Sequence, residues 1–229
     1  MSDEVVISLK GIVKNYGEGS GIVNALQGVD LELKRGEFVT LAGPSGSGKS
    51  TLLNIIGGLD KPTSGSIQIE GNDILKMSQS QLSRVRMGRI GFIFQSYNLI
   101  PVMTAFENAE YVLLLKGVKP SKRREMVREL FAQVGLSGLE DRFPRELSGG
   151  QQQRVAIVRA IASRPALVLA DEPTANVDSK TGGALLDLMS QLNEEHGLTF
   201  FFSTHDPNVV ARAKRRIVLR DGQIAEDIS

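Results

Sequence analysis

The 229-residue sequence contains no cysteine and no tryptophan, and only 5% of its residues are aromatic. Without cysteine the chain has no disulfide framework and no thiolate metal site, so a reducing cytoplasm is permitted. Its formal net charge of +1 gives no basis for wholesale binding to nucleic acid or acidic lipid. The remaining composition, 41% apolar and 23% charged, is ordinary for a soluble globular protein of one large domain or two joined ones.

Long apolar runs are also missing. The runs "YVLLL" and "ALVLA" are far shorter than the roughly 20 residues needed to span a bilayer. The N-terminus, "MSDEVVISLKG", is acidic and then strand-like, unlike a signal peptide, which starts with basic residues and a long apolar run. If the protein works on a membrane, we expect another chain to cross it.

The order of patterns predicts an α/β protein. Short alternating or β-branched runs punctuated by glycine make the first part β-rich, and a mostly apolar strand is predicted between Gly36 and Gly43. Helical periodicity with a charged outer face follows from Thr104 to Leu139, broken near Pro120. From Leu147 onward helices and strands alternate, which implies parallel strands, and a closing hairpin is expected around Asp221-Gly222. We therefore expect a mixed or parallel sheet with an N-terminal antiparallel β subdomain and an inserted α-helical subdomain.

The stretch "GPSGSGKS" matches the phosphate-binding P-loop and has the strand before it and the helix after it that the motif requires. Its glycines let backbone N–H groups turn inward, and the helix N-terminus adds partial positive charge. Lys49 is predicted to reach the β- and γ-phosphates, Ser50 to bind Mg²⁺ and Thr51 to add a phosphate contact. The predicted phosphate-binding set is Gly43, Ser45, Gly46, Ser47, Gly48, Lys49, Ser50 and Thr51.

Polar side chains follow three predicted strands. In "ALVLADEP", Asp171 is placed to hold Mg²⁺ and Glu172 to orient or deprotonate the attacking water. Gln95 follows "IGFIF" and either completes the Mg²⁺ shell or positions water. His205 follows "TFFFST"; alone it is more often structural, but here its imidazole could bind the γ-phosphate. His196, beside a helix C-terminus, is assigned no function.

A P-loop with an acid pair describes a GTPase, a helicase or a small-molecule kinase equally well. At "LSGGQ", from Leu147 to Gln151, the chain resembles the nucleotide-binding subunit of ATP-binding cassette (ABC) transporters. The resemblance covers almost the whole chain in order. It includes the P-loop and acid pair, Tyr16 as the adenine-stacking aromatic, Gln95 as the Q-loop, "ANVD" as the D-loop and His205 as the switch histidine. Tyr16 alone also fits a core residue.

In this family the stretch "LSGGQ" is called the signature. The resemblance implies that two copies pack head to tail, with each ATP between one P-loop and the partner's signature. Ser148 and the N–H groups of Gly149 and Gly150, followed by Gln151, would then bind a γ-phosphate held by the other subunit. Without the other motifs, the same stretch is an N-cap followed by flexible glycines. Asp178 would help to join the two sites across the dimer.

The D-loop departs slightly from the family pattern of Gly followed by Asn-Leu-Asp, because this chain has Ala175 and Val177. A left-handed backbone at Ala175 would cost on the order of 1 kcal/mol; otherwise the change is neutral.

The family further implies one domain over residues 1–229. Residues 1–95 and 165–229 would form the RecA-like core with its β subdomain, and residues 96–164 the helical subdomain. ATP and Mg²⁺ are the implied cofactors. The implied partners are a second copy of the chain and an integral membrane subunit, and no nucleic acid is expected as a partner. The implied location is the cytoplasmic face of the inner membrane.

The segment after Gln95, "SYNLIPVMTAFENAEYVLLL", resembles the lipoprotein-release and macrolide-export branch. Non-transport relatives, the chromosome-maintenance ATPases and translation factors, share the signature. The former need long coiled-coil insertions and the latter normally carry two cassettes; this chain has neither. A small-molecule kinase leaves "LSGGQ" unexplained. The basic run "RAKRR", from Arg212 to Arg216, is interpreted as a solvated helix end.

Overall fold

The computed structural model describes residues 4–229, apart from the side chain of Ser20. The first three residues, which open the acidic N-terminus interpreted above, lie outside the described residues. The strands of the described chain are β1 (Val5–Tyr16), β2 (Val23–Lys34), β3 (Phe38–Ala42), β4 (Ser64–Ile69), β5 (Asn72–Asp73), β6 (Ile90–Ile93), β7 (Leu167–Asp171), β8 (Thr199–Ser203), β9 (Arg215–Arg220) and β10 (Gln223–Ile228). Its α-helices are α1 (Lys49–Ile56), α2 (Gln79–Arg89), α3 (Ala105–Leu115), α4 (Pro120–Gln133), α5 (Gly149–Ile161), α6 (Ser179–His196) and α7 (Pro207–Arg212). Short 3₁₀ helices cover Gly19–Gly21, Ile74–Lys76 and Pro144–Glu146.

The strands form two sheets. An antiparallel sheet has the order β2-β1-β4-β5, and a second sheet has the order β10-β9-β3-β8-β7-β6. In the second sheet β9, β3, β8, β7 and β6 are parallel, and only the terminal hairpin strand β10 is antiparallel. The architecture is the predicted α/β fold with an antiparallel β unit at its N-terminal side, so that expectation is confirmed.

The centre of the parallel sheet is buried on both faces. Every residue of β8 is buried, including Phe200, Phe201 and Phe202, each 0% exposed. Such a continuous apolar run is what a parallel strand covered on both sides requires. Phe38 of β3 packs its ring against this run at a tilt of 45°, with its centroid 4.5 Å from that of Phe202.

The parallel strands end at one edge of the sheet, and the polar segments begin there. The P-loop follows β3, Glu172 follows β7, and Thr204 follows β8, while Gln95 lies two residues beyond β6. Ligands bind at the carboxyl edge of open parallel sheets because the connecting loops and helix N-termini converge there. The fold therefore gathers at one edge of the sheet residues that lie up to about 160 positions apart in the chain, from the P-loop to Thr204.

The segment between β6 and β7 is helical, as its periodicity predicts. Helix α3 begins at a capping box in which the Thr104 hydroxyl accepts from the Glu107 N–H and the Glu107 carboxylate accepts from the Thr104 N–H. Helix α4 begins with Pro120 at its first turn, where a missing N–H costs nothing. Val127 and Phe131 bury its inner face at 0% exposure. No helix within residues 4–229 combines the length and the apolarity needed to cross a bilayer.

Two sequence interpretations need correction. The first part of the chain contains helix α2, which the β-rich reading lacked; it buries only Leu82 and so shows no apolar periodicity. The run "RAKRR" is not a helix end throughout, since α7 ends at Arg212, and Arg215 and Arg216 open strand β9. Arg215 is mostly buried and pairs with Glu37 and Asp227.

Candidate active site

The P-loop connects β3 to α1 with a backbone that only glycine tolerates at two positions. Gly48 is the N-cap of α1 with φ +103°, and a Cβ there would lie 2.4 Å from the Ala25 carbonyl oxygen. Gly43 has φ +153°, and a Cβ would lie 2.2 Å from the Leu219 carbonyl oxygen. Both obstacles are backbone atoms, so no side-chain movement can relieve them. The loop is thus wedged between β2 and the β9–β10 hairpin with its N–H groups at the start of a helix, which is an anion-binding arrangement.

The polar side chains of the loop are held within it. Lys49 Nζ donates to the carbonyl oxygens of Gly43 and Pro44, at 2.7 and 2.9 Å. The Ser47 hydroxyl is buried and has no protein hydrogen-bond partner within the described residues. An ammonium group bonded only to carbonyls, together with a buried hydroxyl that lacks a partner, fits a phosphate group, which accepts from both.

Ser50 and Asp171 face each other across the carboxyl edge of the sheet. Ser50 Oγ lies 3.4 Å from Asp171 Oδ1. A hydroxyl and a carboxylate at the end of neighbouring elements are oxygen ligands of the type that Mg²⁺ takes together with phosphate oxygens and water. Gln95 is exposed after β6, and its backbone carbonyl accepts from Asn176 Nδ2 at 2.9 Å. Its side-chain amide makes none of the hydrogen bonds found in the described chain, so it stays available to a ligand.

Glu172 lies in a strained turn at the end of β7. Its φ is +46°, a conformation that costs a non-glycine residue on the order of 1 kcal/mol or more. Its N–H donates to the Ser203 carbonyl at 2.9 Å, which ties the turn to β8. Sequence reasoning did not foresee this strain. The sequence instead suggested a possible left-handed backbone at Ala175. Ala175 is not among the residues of the described chain with positive φ. The alanine that replaces the family's glycine there is therefore neutral.

The Glu172 side chain is engaged by two residues that follow β8. Its Oε1 lies 2.6 Å from His205 Nδ1, and its Oε2 accepts from the Thr204 hydroxyl at 3.3 Å. The carboxylate is mostly buried, whereas the imidazole is 76% exposed. The structure therefore brings together the predicted acid and the predicted histidine, and adds Thr204, which the sequence analysis missed although it precedes His205.

The signature begins helix α5 with a complete capping box. The exposed Ser148 Oγ accepts from the Gln151 N–H at 3.3 Å, and the Ser148 N–H donates to Gln151 Oε1 at 2.8 Å. The hydrogen bonds that residues 147–154 donate to other parts of the described chain reach Val134, Pro144 and Pro173, and none reaches the P-loop of the same chain. The predicted N-cap serine is confirmed, and the first turn of α5 lies apart from the phosphate cradle.

The two signature glycines are needed for packing inside the chain. A Cβ at Gly149 would lie 2.8 Å from the Tyr97 hydroxyl, and one at Gly150 would lie 2.5 Å from Thr181 Cγ2. Neither glycine has a positive φ. Close approach of other side chains, which sequence reasoning did not include, is thus a second physical reason for glycine at these positions.

The segments after β6 and β7 hold each other beside the signature. The Tyr97 hydroxyl donates to the Asn176 carbonyl at 3.0 Å, in addition to the bond from Asn176 to Gln95. Tyr97 and Asn98 have φ of +58° and +49°, and Arg159 of α5 donates to both of their carbonyl oxygens. Burial lowers the pKa of the Arg159 guanidinium. Tyr97, Asn176 and Arg159 were all missed because their contacts join residues about 60 to 80 positions apart, beyond the reach of local patterns.

Asp178 caps helix α6. Its carboxylate accepts from the N–H groups of Lys180 and Thr181 and from the Thr181 hydroxyl, the last at 2.6 Å. The Thr181 hydroxyl hydrogen bond is the largest cause that holds the pKa of Asp178 below its ordinary value. The residue predicted to act across a dimer is thus also an N-cap in the single chain.

Tyr16 is the last residue of β1 and is 41% exposed. Its hydroxyl donates to Asp60 Oδ2 at 2.7 Å, and Lys14 Nζ lies 4.6 Å from its ring centroid. Partial burial raises the pKa of Asp60, but hydrogen bonds from Lys14, Tyr16 and the Lys61 N–H outweigh it and lower the pKa overall. An exposed ring held at its hydroxyl can stack on a flat ligand; Asp60, which holds it, was not foreseen.

Most of the chain matches a known protein family. A model of the ABC transporter family matches residues 26–175. The ABC transporter ATP-binding protein MJ0796 of Methanocaldococcus jannaschii is 46% identical over 226 residues, covering 97% of this chain and 96% of the relative. The chain belongs to the ABC transporter family. As an ABC protein with this cassette it binds and hydrolyses ATP.

Other similar proteins indicate the same family. The macrolide export ATP-binding/permease protein MacB of Marinobacter nauticus is 43% identical over 99% of this chain, which spans only 35% of that longer relative. The dimeric structure of MJ0796 in a post-hydrolysis state bound to ADP and Pi superposes with a TM-score of 0.89 at 45% identity, covering 96% of this chain and 97% of that one. The P-loop ATPase fold predicted from the sequence and the family resemblance are both confirmed.

Proposed function

We propose that the chain works as a head-to-tail dimer in which each ATP is enclosed by one P-loop and the partner's signature. The observation that carries this proposal is the separation of the two half-sites within one chain. Ser148 is exposed at a helix N-terminus and bonds to Gln151, and the next residue, Gly149, packs against Tyr97 and Asn176; no hydrogen bond of the described chain joins Ser148 to its own P-loop. A helix N-terminus is a site for an anion. The dimeric state of the relative MJ0796 supports the same arrangement.

In this proposal the P-loop half binds the nucleotide by exchanging its internal hydrogen bonds. Lys49 leaves the carbonyls of Gly43 and Pro44 for phosphate oxygens, and Ser47 donates to a phosphate. Tyr16 stacks on the adenine. Ser50 and Asp171, with Gln95, are the residues that would hold Mg²⁺. When bound, Mg²⁺ would offset the negative charge of the phosphates.

Glu172 is the proposed general base. In the structure its carboxylate is engaged on both oxygens, with His205 at Oε1 and Thr204 at Oε2. We infer that His205 turns to the γ-phosphate in the closed dimer, which leaves the carboxylate to orient the attacking water and take its proton. Thr204 keeps the other carboxylate oxygen in place during this exchange.

Replacement of Glu172 tests the role directly. Glu172→Gln keeps the shape and the contact with Thr204 but removes the base, so we expect hydrolysis to fall about 10²- to 10⁴-fold. ATP binding should persist, and the dimer should accumulate with ATP. Steady-state hydrolysis and size-exclusion chromatography measure the two effects, and hydrolysis at the wild-type rate would refute the role.

We propose that the dimer drives a separate membrane subunit of the lipoprotein-release or macrolide-export type from the cytoplasmic face of the inner membrane, without nucleic acid as a partner. The MacB relative, named an ATP-binding/permease protein, carries a similar cassette in about a third of its length. The relatives reported above are transporter proteins, which favours this class over a chromosome-maintenance or translation ATPase. The chain would then be one cassette over residues 1–229, with residues 1–95 and 165–229 as its core and 96–164 as its helical subdomain.

A groove beside the Q-loop supports the membrane partner. It has a volume of about 370 Å³ and is lined by Leu59, Phe92, Phe94 and Leu115 among others. Leu59 and Leu115 are each at least half exposed. An apolar groove next to Gln95 would let a bound segment act on the ATP site.

Co-purification tests this part of the proposal. Leu115→Glu should abolish recovery of an integral membrane protein with the subunit while leaving ATP hydrolysis by the isolated subunit unchanged. Ile228→Glu, at a similarly exposed apolar residue of β10, is the matched control and should keep the partner. Retention of the membrane protein by the Leu115 variant would exclude the groove as the contact.

A further inference from the structure

Gln153 of the signature helix bonds directly to the turn that carries Glu172. Its side chain is 0% exposed, and its Nε2 lies 2.6 Å from the Pro173 carbonyl oxygen. Because a carbonyl oxygen only accepts, the amide nitrogen must be the atom that faces it. Pro173 follows Glu172 in the chain, so this bond joins α5 to the proposed general base.

The Glu172 turn needs such support. A non-glycine residue at φ +46° persists only where its surroundings over-determine the backbone. The Glu172 N–H is fixed by Ser203 of β8, and the Glu172 carbonyl accepts from the Ala175 N–H at 3.2 Å. Gln153 fixes the next carbonyl in the chain, and it does so from the helical segment rather than from the sheet.

The amide is not explained by packing. Gln153 Oε1 is buried without a protein hydrogen-bond partner in the described chain. A buried polar atom without a partner destabilises a fold, so an apolar side chain of similar size would pack better here. The donor toward Pro173 is what the glutamine contributes.

We propose that Gln153 is a positioning residue for Glu172 of its own subunit. The inference rests on the proposed head-to-tail dimer, in which Ser148 contacts the ATP at the partner's P-loop while Glu172 acts on the ATP at its own. Ser148 and Gln153 lie at the N-cap and in the second turn of one helix. Gln153 therefore connects the signature in one ATP site to the general base in the other.

A volume-conserving variant separates this role from folding. Gln153→Met removes the unpartnered Oε1, which favours folding, and it removes the donor to the Pro173 carbonyl, which disfavours folding. Because the two effects oppose each other and the volume is conserved, the melting temperature should change little. We expect kcat to fall about tenfold, with the KM for ATP and ATP-induced dimerisation near wild type. Gln152→Met is the matched control, because Gln152 lies on the same helix and its side chain bonds, within the described chain, only to the Leu147 carbonyl; its kcat should stay near wild type.

Heterodimers show which ATP site is affected. Ser148→Arg in one subunit should block the site that its signature completes, and this heterodimer is the reference. With Gln153→Met added to the same subunit, the surviving site uses the Glu172 of the doubly altered chain, and its rate should fall about tenfold. With Gln153→Met in the opposite subunit, the surviving site uses an unaltered Glu172 turn and should keep the reference rate.

Each other outcome has a definite meaning. Equal loss in both arrangements would show a general defect of α5, and an unchanged rate in the first arrangement would show no link to Glu172; both overturn the role of Gln153. An inactive reference heterodimer that assembles correctly would overturn the composite-site model itself, and this inference with it.

Discussion

The P-loop and the signature are both glycine-rich turns at a helix N-terminus, yet glycine is required for different reasons. At Gly48 a Cβ would meet the backbone oxygen of Ala25, in a left-handed conformation. At Gly149 and Gly150 the backbone is ordinary, and a Cβ would meet the ends of the Tyr97 and Thr181 side chains. The first turn is fixed by the main chain around it, whereas the second depends on neighbouring side chains.

This difference has a functional consequence. The side chains that crowd the signature come from the segment after Gln95 and from the helix capped by Asp178. A change at either segment therefore reaches the signature through contacts that can shift. The P-loop, held by strands and a hairpin, stays a rigid cradle, and the signature is the adjustable half of the proposed site.

The largest effect is expected at the rigid half. Gly48→Ala combines a left-handed backbone with a main-chain clash, so the free energy of unfolding should fall by roughly 3 kcal/mol and nucleotide binding should be lost. Gly138→Ala is the matched control, because Gly138 has φ +83° but open space for a Cβ; it should cost about 1 kcal/mol and leave binding intact. Denaturant unfolding and nucleotide titration measure both. Equal costs at the two positions would contradict the clash.

An intermediate effect is expected at the signature, and there a second substitution should reverse it. Gly150→Ala meets Thr181 Cγ2, and we expect ATPase activity to fall about fivefold. Thr181→Ser removes that methyl group and keeps the hydroxyl that bonds Asp178, so the double variant should recover most of the activity. If Gly150 were needed only for close approach of a phosphate, Thr181→Ser would restore nothing. The same substitution should not rescue Gly48→Ala.

The smallest effect is expected at the side chain that joins the signature to its neighbours. Tyr97→Phe loses the hydrogen bond to the Asn176 carbonyl, worth about 1 kcal/mol of unfolding free energy. ATPase activity should fall about two- to threefold, with nucleotide affinity unchanged. Tyr111→Phe, at a tyrosine without a hydroxyl hydrogen bond in the described chain, is the control. A loss of nucleotide affinity in Tyr97→Phe would mean that the two halves are not separate in this way.

Local signals in the sequence were sufficient for much of the fold. The N-cap at Ser148 and the Asp221-Gly222 hairpin depend on neighbouring residues only, and both are present. The buried strand β3 and the P-loop between it and α1 are likewise present. Helix α2 was missed because it is polar and buries one leucine, although the capping box of Ser78 and Gln81 was a readable signal.

The candidate site was less predictable than the fold. The motifs located Glu172 and His205, but their 2.6 Å contact depends on the alignment of β7 with β8. The bond from Tyr97 to Asn176 joins residues 79 positions apart. The strain at Glu172 and the bond from Gln153 likewise arise from packing between elements that no local pattern specifies.

The most direct test of the composite site is a mixed dimer of a Lys49→Ala subunit and a Ser148→Arg subunit. In a head-to-tail dimer both lesions fall in the same site, and the other site has an intact P-loop and an intact signature. We predict about half of the wild-type ATPase activity, whereas each homodimer should be inactive. Absence of activity in a correctly assembled mixed dimer would contradict the account.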